Sequence, residues 1–165
     1  MSNAGGLPAH DVRCDLAAEA LRLSGRLRLQ VSGSSMLPSV WPGDILVIHR
    51  AEFSGLRTGD LLFYARNGGF VVHRVVGKNV DAVITRGDAL AQDDDPVAPS
   101  RVLGKVAIIE RGRARFAPKE KLTCAQSLLR SLIFRYDGFR AFLLRLNALR
   151  LRFNRPQAEP RNLQI

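Results

Sequence analysis

The sequence has few of the residues from which metal sites and disulfide frameworks are built. Its 165 residues include two cysteines, Cys14 and Cys124, and three histidines. The cysteines form no Cys-x-x-Cys pair and the histidines are not paired at helical spacing, so neither set has the pattern of a metal site. We therefore expect two free thiols in a reducing compartment, no bound metal and no cofactor.

Long apolar runs are absent as well. No stretch of about 18 apolar residues occurs, so the sequence predicts no transmembrane helix. The opening residues, MSNAGGLPAHDVRCD, are small and polar and lack the basic segment and apolar core of a secretory signal peptide. The expected location is the cytoplasm or the periphery of a membrane, and the side of the membrane is left open.

Acidic residues are scarce in the last third of the chain. Residues 111–165 hold 13 basic and 3 acidic side chains, whereas residues 1–31 hold 4 and 3 and residues 32–110 hold 8 and 9. The formal net charge of +10 therefore comes from the last segment. Such a segment predicts an anionic partner, of which membrane headgroups, nucleic acid and an acidic protein are the three classes.

What the sequence does contain is a series of short β-type segments. Residues 15–23 favour a helix that ends before Gly25, and residues 26–31 alternate between polar and apolar side chains, as a strand does. This pattern predicts a mainly β domain, a folded antiparallel sheet or open barrel. Further strand-like runs, separated by glycine-containing turns, follow at 45–50, 61–66, 70–76, 80–85 and 102–110.

The predicted organisation has four parts: a helical lead-in over 1–25, the β domain over 26–117, a basic amphipathic helical segment over 118–155, and a tail over 156–165. Within the helical segment, residues 122–153 are expected to be helical with a break at Asp137-Gly138. On a wheel of about 100° per residue, one broad apolar face contains Leu128, Leu129, Leu132, Ile133, Tyr136, Phe139, Leu143 and Leu146.

This amphipathic segment has two interpretations that the sequence leaves open. It could lie in an anionic membrane surface, with Trp41 of the preceding domain dipping into the same interface. It could equally pack on the β domain or on a partner protein, with its arginines turned outward. Either arrangement accounts for an apolar face on a strongly basic helix.

Residues 31–38, VSGSSMLP, are the most informative part of the chain. A strand there enters a tight loop, in which a serine hydroxyl can be exposed close to backbone N–H groups. Taken alone, a serine-rich loop indicates no more than a turn. The longer segment VSGSSMLPSVWPGDILVI, however, resembles the nucleophile box of type I signal peptidases and of the related self-cleaving repressors of the SOS response. The resemblance implies that Ser35 is the nucleophile.

Two further segments extend the resemblance over residues 29–110. Residues 58–63, TGDLLF, are similar to the second box of the family, in which Gly-Asp opens a strand. The strand FVVHRVV carries His73 where the bacterial enzymes and the repressors carry a lysine base, as in the endoplasmic-reticulum and archaeal branch. The resemblance therefore implies a Ser35–His73 pair, with His73 as general base. Strand alternation predicts Val71 and Val75 on the same face as His73.

Residues 85–95, TRGDALAQDDD, resemble the Gly-Asp-Asn-Asn loop that follows in the same branch, although Ala-Leu replaces Asn-Asn. The resemblance implies that Asp88, or failing that Asp94, accepts a hydrogen bond from the His73 imidazole. Gly33 stands where some signal peptidases have an oxyanion-stabilising serine. The expected oxyanion and substrate-binding set is therefore the Ser35 backbone N–H with Ser34, Ser32, Met36 and Pro38.

The function implied by the resemblance is that of a serine endopeptidase. It would cleave a precursor or leader peptide after small residues, with the substrate extended along an exposed β edge. The alternatives are a regulator related to the self-cleaving repressors and a catalytically inactive peptide-binding domain. No helix-turn-helix pattern precedes the serine box and the base position holds histidine, so nucleic acid is not the expected partner.

Overall fold

The structure, a computed structural model, describes residues 9–66 and 69–153. This part of the chain forms one antiparallel sheet of seven strands together with three α-helices. Two single-turn 3-10 helices, Phe53–Gly55 and Pro99–Arg101, interrupt the loops. The elements are α1 Ala9–Ser24, β1 Arg26–Gln30, β2 Ile45–Arg50, β3 Leu61–Arg66, β4 Gly69–Lys78, β5 Val83–Arg86, β6 Val102–Arg111, β7 Ala114–Phe116, α2 Cys124–Arg135 and α3 Asp137–Phe153.

The strands are arranged in the order β1-β2-β6-β3-β4-β5, and β7 pairs with β6. Among the described strands β1 does not pair with β5, so the sheet does not close into a barrel. The antiparallel β architecture predicted from the sequence is confirmed, but β7 was not predicted. Strand β5 starts three residues later than predicted because the Asn79 side chain accepts hydrogen bonds from the backbone N–H groups of Asp81 and Ala82, which forms a turn there.

The middle strand of the sheet is buried on both faces. In β3, Leu61 and Phe63 belong to one apolar cluster while Leu62 and Tyr64 belong to the other, as strand alternation requires. Helix α1 covers the first cluster with Leu21, which is 1% exposed. The helix predicted at 15–23 is therefore present within a longer α1 that packs on the sheet.

The two C-terminal helices pack one face against the β domain. Thr123 and Gln126 form a capping box that begins α2, and the chain leaves the helix at Tyr136 before α3 starts, close to the predicted break. Ile133 of α2 is buried against Leu37 and Ala89 in a third cluster, which Leu129, Phe139, Leu143 and Leu144 complete. Of the predicted apolar face, Ile133, Leu129, Phe139 and Leu143 pack in this cluster, whereas Leu128, Tyr136 and Leu146 are exposed.

Some predictions concern residues that the structure does not describe. The tail at 156–165 and the first eight residues lie outside the described chain, as does the side chain of Cys14. Cys124 is a free, exposed thiol. Within residues 9–66 and 69–153, none of the helices combines the length and the apolar character needed to cross a bilayer.

Candidate active site

Ser35, His73 and Asp94 form a continuous hydrogen-bonded line. Ser35 lies in the loop between β1 and β2, His73 on β4, and Asp94 in the loop after β5. The Ser35 Oγ is 3.0 Å from His73 Nε2, and His73 Nδ1 is 2.5 Å from Asp94 Oδ2. A hydroxyl, an imidazole and a carboxylate in this order have the geometry of a nucleophile, a base and an acid that orients the base.

The turn that closes the Ser35 loop is held by a buried carboxylate. Asp44 Oδ2 accepts a hydrogen bond from the Trp41 backbone N–H at 2.8 Å, and Arg111 donates to the same carboxylate through Nε and Nη2. Gly43 has a φ of +92°, a conformation that residues with a side chain rarely adopt. The Pro-Gly-Asp sequence at 42–44 therefore fixes where the loop returns to the sheet.

A second loop contacts the backbone of Ser35. The Ala89 N–H donates to the Ser35 carbonyl at 2.8 Å. A Cβ at Gly87 would lie only 2.7 Å from that carbonyl oxygen, too close for any other residue without a shift of the chain. Gly87 therefore permits the close approach that holds Ser35 beneath His73.

His73 and Arg74 are consecutive on β4 and point to opposite faces of the sheet, as strand geometry requires. Val71 and Val75 pack in the second cluster, which confirms their predicted shared face. On the other face Arg74 Nε and Nη2 each donate to Asp88 at 2.8 Å. Arg74 Nη1 also donates to the carbonyl oxygens of Gly59, Lys119 and Glu120.

The preference for Asp88 as the partner of His73 is therefore wrong. Both oxygens of Asp88 accept hydrogen bonds from the buried Arg74 guanidinium, and Asp94 contacts the imidazole instead. The loop between them reverses direction, and the Asp94 N–H donates to the Thr85 carbonyl at 2.8 Å. That bond brings the second of the two predicted acids beside β4.

The Asp94 carboxylate is 8% exposed, and both of its oxygens accept hydrogen bonds. Besides His73, Oδ2 accepts a hydrogen bond from Thr85 Oγ1 at 2.8 Å, and Oδ1 accepts one from Arg66 at 2.9 Å. Burial raises the pKa of Asp94, but the hydrogen bonds from His73, Thr85 and Arg66 outweigh it, so the net pKa is lower than that of an ordinary aspartate. Asp94 is therefore ionised at neutral pH and can orient the imidazole.

Behind this carboxylate lie two residues that sequence reasoning missed. The Thr85 hydroxyl is 3.2 Å from that of Tyr64, whose pKa is raised by burial and by the negative charge of Asp94. Thr85 opens the fourth motif, so the pattern marked its position but not its role. Arg66 is the last residue of β3, and nothing in its local sequence distinguishes it from a surface arginine.

The four other predicted site residues have different surroundings. Ser34 Oγ accepts a hydrogen bond from Arg140 of α3 at 2.7 Å, so this hydroxyl is engaged by the C-terminal helices. Ser32 is exposed at the rim of a cleft, and Met36 is buried beneath the same cleft. Pro38 is buried in the loop, and its carbonyl accepts the Trp41 indole N–H at 2.9 Å.

That bond also corrects the expectation that Trp41 dips into a membrane. The indole packs against the third cluster, which includes Leu143 of α3, and its N–H is already bonded inside the protein. The ring therefore packs at the junction between the Ser35 loop and the C-terminal helices.

An apolar cleft of about 580 Å³ leads to Ser35 and His73. One wall is the end of β1 and the residues that follow it, 29–33, and the other is the first half of β4, 69–73. Over Phe70 to His73, β4 pairs with β3 on one side only, because pairing with β5 begins at Arg74 in the described sheet. An extended apolar peptide would fit between the walls and find an unpaired strand edge beside it.

No protein-family model matches the chain, and no curated protein matches it either. Among residues 9–66 and 69–153, no three His, Cys, Asp or Glu side chains come together in a group that would hold a metal ion.

Proposed function

We propose that the protein is a serine endopeptidase of the signal-peptidase type, with Ser35 as nucleophile and His73 as general base. The observation that carries the proposal is the 3.0 Å contact between Ser35 Oγ and His73 Nε2, with the buried Asp94 carboxylate on the other ring nitrogen. The proposal includes the fold family, which the order of the four motifs along an open antiparallel sheet supports.

The mechanism follows from the tautomer that Asp94 selects. An ionised carboxylate accepts the Nδ1–H of His73, so Nε2 carries the lone pair that faces Ser35. His73 takes the hydroxyl proton as Ser35 attacks the scissile carbonyl, and it returns the proton to the leaving amine. Water, deprotonated by the same nitrogen, then hydrolyses the ester between Ser35 and the acyl group.

The developing oxyanion needs a donor close to Ser35 Oγ. Gly33 offers no side chain, and the Ser34 hydroxyl already interacts with Arg140, which leaves the Ser35 backbone N–H as the principal donor. Ser32 at the rim of the cleft is the remaining hydroxyl that a bound substrate could recruit.

The substrate class is a precursor or leader peptide with small residues at the first and third positions before the cut, as the resemblance implies. Such a segment would lie extended in the apolar cleft and add its backbone to the open edge at residues 70–73. Small residues are expected near Ser35 because a bulky side chain there would push the scissile carbonyl away from the hydroxyl.

The test is cleavage of an Ala-x-Ala peptide, or of a co-expressed precursor, by the wild type and by Ser35→Ala and His73→Ala. Ser54→Ala and His49→Ala are matched controls, because both residues are exposed and outside the cleft. We expect both site variants to lose at least about a thousandfold in kcat/KM and both controls to retain activity.

An active-site serine probe gives an independent measure. A fluorophosphonate is expected to label Ser35 in the wild type and to leave Ser35→Ala unlabelled. Full cleavage by either site variant would overturn the proposal. Peptide binding in the cleft with neither labelling nor turnover would favour an inactive binding domain instead, and a salt-dependent shift of DNA would favour the repressor-like regulator.

A further inference from the structure

The two C-terminal helices carry most of the exposed large apolar residues of the described chain. Seven of its eleven exposed large apolar residues lie between positions 128 and 151. The other four are scattered over α1, the loop before β5, and β7, where isolated exposed apolar residues need no explanation. The seven are Leu128, Phe134, Tyr136, Phe142, Leu146, Leu149 and Leu151.

Helix α3 has two apolar faces that point in opposite directions. Its inner face meets the β domain, where the buried Asn147 donates to the Pro42 carbonyl at 2.8 Å and Leu143 joins the third cluster. Its outer face presents Phe142, Leu146 and Leu149, which are 54%, 47% and 49% exposed. At about 100° per residue these three fall within a wedge of roughly 60°, so they form one stripe along the helix.

Arginines border this stripe on both sides. Arg145 and Arg150 are exposed and lie roughly 40° beyond its two edges on the helical wheel. Residues 122–153 contain six arginines and a single acidic residue, so the surrounding field is positive. A narrow apolar stripe with an exposed guanidinium group on each side is complementary to an anionic lipid surface, where phosphates lie above acyl chains.

We propose that the outer face of α3 binds an anionic membrane surface, with Phe142, Leu146 and Leu149 inserted at the headgroup level and Arg145 and Arg150 bound to lipid phosphates. The proposal does not depend on catalysis. A second copy of the chain fits this face poorly, because pairing it with itself would bring arginines against arginines. A nucleic acid would engage the arginines but leave the apolar stripe in water.

Docking in this orientation has a consequence for the site. Arg140 of α3 binds Ser34, and Asn147 binds Pro42, so the docked helix is bonded directly to the loop that carries Ser35. The membrane would therefore hold the cleft close to the bilayer, where membrane-bound precursors are concentrated.

The test is flotation of the full-length protein with vesicles of phosphatidylcholine alone or of phosphatidylcholine mixed with phosphatidylglycerol. We expect binding to the mixed vesicles only, and weaker binding as salt rises. The triple variant Phe142→Ser/Leu146→Ser/Leu149→Ser should lower the partition coefficient by about tenfold or more. Its control is Leu16→Ser/Leu23→Ser, since these leucines are at least as exposed but lie on α1.

The charge contribution has its own matched pair. Arg145→Gln/Arg150→Gln should weaken binding by about tenfold, whereas Arg57→Gln/Arg101→Gln, with the same loss of charge at exposed positions elsewhere, should change it little. Circular dichroism of each variant checks that it is folded, which is expected because the changed side chains are exposed.

Several outcomes would overturn the proposal. They are equal binding to both kinds of vesicle, absence of binding by the wild type, or equal losses in the α3 variants and their controls. If the wild type self-associates and Phe142→Ser/Leu146→Ser/Leu149→Ser abolishes that association, the face binds a second copy of the chain instead. If the wild type binds DNA and Arg145→Gln/Arg150→Gln is the variant that abolishes this binding, the face binds nucleic acid instead. Loss of vesicle binding with unchanged peptide cleavage, by contrast, is expected, because docking and catalysis are separate claims.

Discussion

Asp94 with His73 and Asp88 with Arg74 are two acid–base pairs built from the same two stretches of chain, β4 and the loop that follows β5. Both acids are almost fully buried. They differ in the other contacts of their partners. The second ring nitrogen of His73 contacts the Ser35 hydroxyl at the end of a cleft, whereas Arg74 donates its other hydrogen bonds to backbone carbonyls. Strand alternation thus separates a pair that can move a proton from a pair that holds loops together.

The largest effect is expected from breaking the first pair. Asp94→Asn should lower kcat/KM by about a hundredfold to ten-thousandfold, because the amide no longer selects the tautomer with a lone pair on Nε2. Peptide cleavage by purified wild type and variant measures the loss. Asp93→Asn is the control, since Asp93 is an exposed neighbour that pairs with Arg86 rather than with His73. Comparable losses in both variants would argue against a specific role for Asp94.

The pH dependence of stability in the same variant tests the lowered pKa of the Asp94 carboxylate. Because the pKa of Asp94 is lower in the folded protein than in the unfolded chain, the unfolded state binds more protons as pH falls. Its contribution to stability is therefore present above about pH 4 and is lost as pH falls through the folded pKa. The free energy of unfolding, measured with urea, should decline less steeply from neutral to acidic pH in Asp94→Asn than in the wild type. An unchanged slope of free energy against pH would contradict the lowered pKa of Asp94.

Breaking the second pair should lower stability rather than chemistry. Arg74→Gln leaves the buried Asp88 carboxylate without its cation and removes the hydrogen bond to the Gly59 carbonyl. The free energy of unfolding should therefore fall by about 3–5 kcal/mol. Urea unfolding at neutral pH measures the change. The double variant Arg74→Met/Asp88→Leu should recover part of the loss, because no unpaired charge then remains. Retention of full stability in Arg74→Gln would remove the distinction between the two pairs.

The smallest effect is expected at Arg66, which links the first pair to solvent. Its side chain is 40% exposed, so its bond to Asp94 is screened and Arg66→Gln should lower kcat/KM by about twofold to fivefold. As a positioning residue, Arg66 should be replaced in part by lysine, which keeps the charge. Equal losses in Arg66→Gln and Arg66→Lys would point to packing of the side chain rather than to its charge.

The two pairs also show what could be predicted from the sequence. Ser35 and His73 were predicted because each stands at a fixed offset within a motif, and the alternation of β4 fixed which face His73 shares. The choice between Asp88 and Asp94 was wrong because both lie in an irregular loop, where spacing carries no directional information. Which acid reaches His73 depends on the hydrogen bond from the Asp94 N–H to the Thr85 carbonyl, and that bond has no signature in the sequence.

Contacts between distant segments were the least predictable. Strands β1 to β6 could be located to within a few residues because each is a short β-type run that ends near a turn, whereas β7 was not predicted. The packing of α2 and α3 on the Ser35 loop could not be predicted, because an amphipathic helix has the same pattern whether its apolar face meets a protein or a membrane. Residues such as Arg140 gain their roles only when the chain folds back over the loop.

The bond from Arg140 to Ser34 joins residues separated by 106 positions along the chain. During synthesis on a ribosome, the serine loop emerges long before the helix that packs against it. The apolar cluster of Leu37, Ala89 and Ile133 is likewise incomplete until α2 has been made. The Ser35 loop therefore reaches its final packing only after α2 and α3 have been made, which delays the assembly of the Ser35 site until the rest of the described fold is in place.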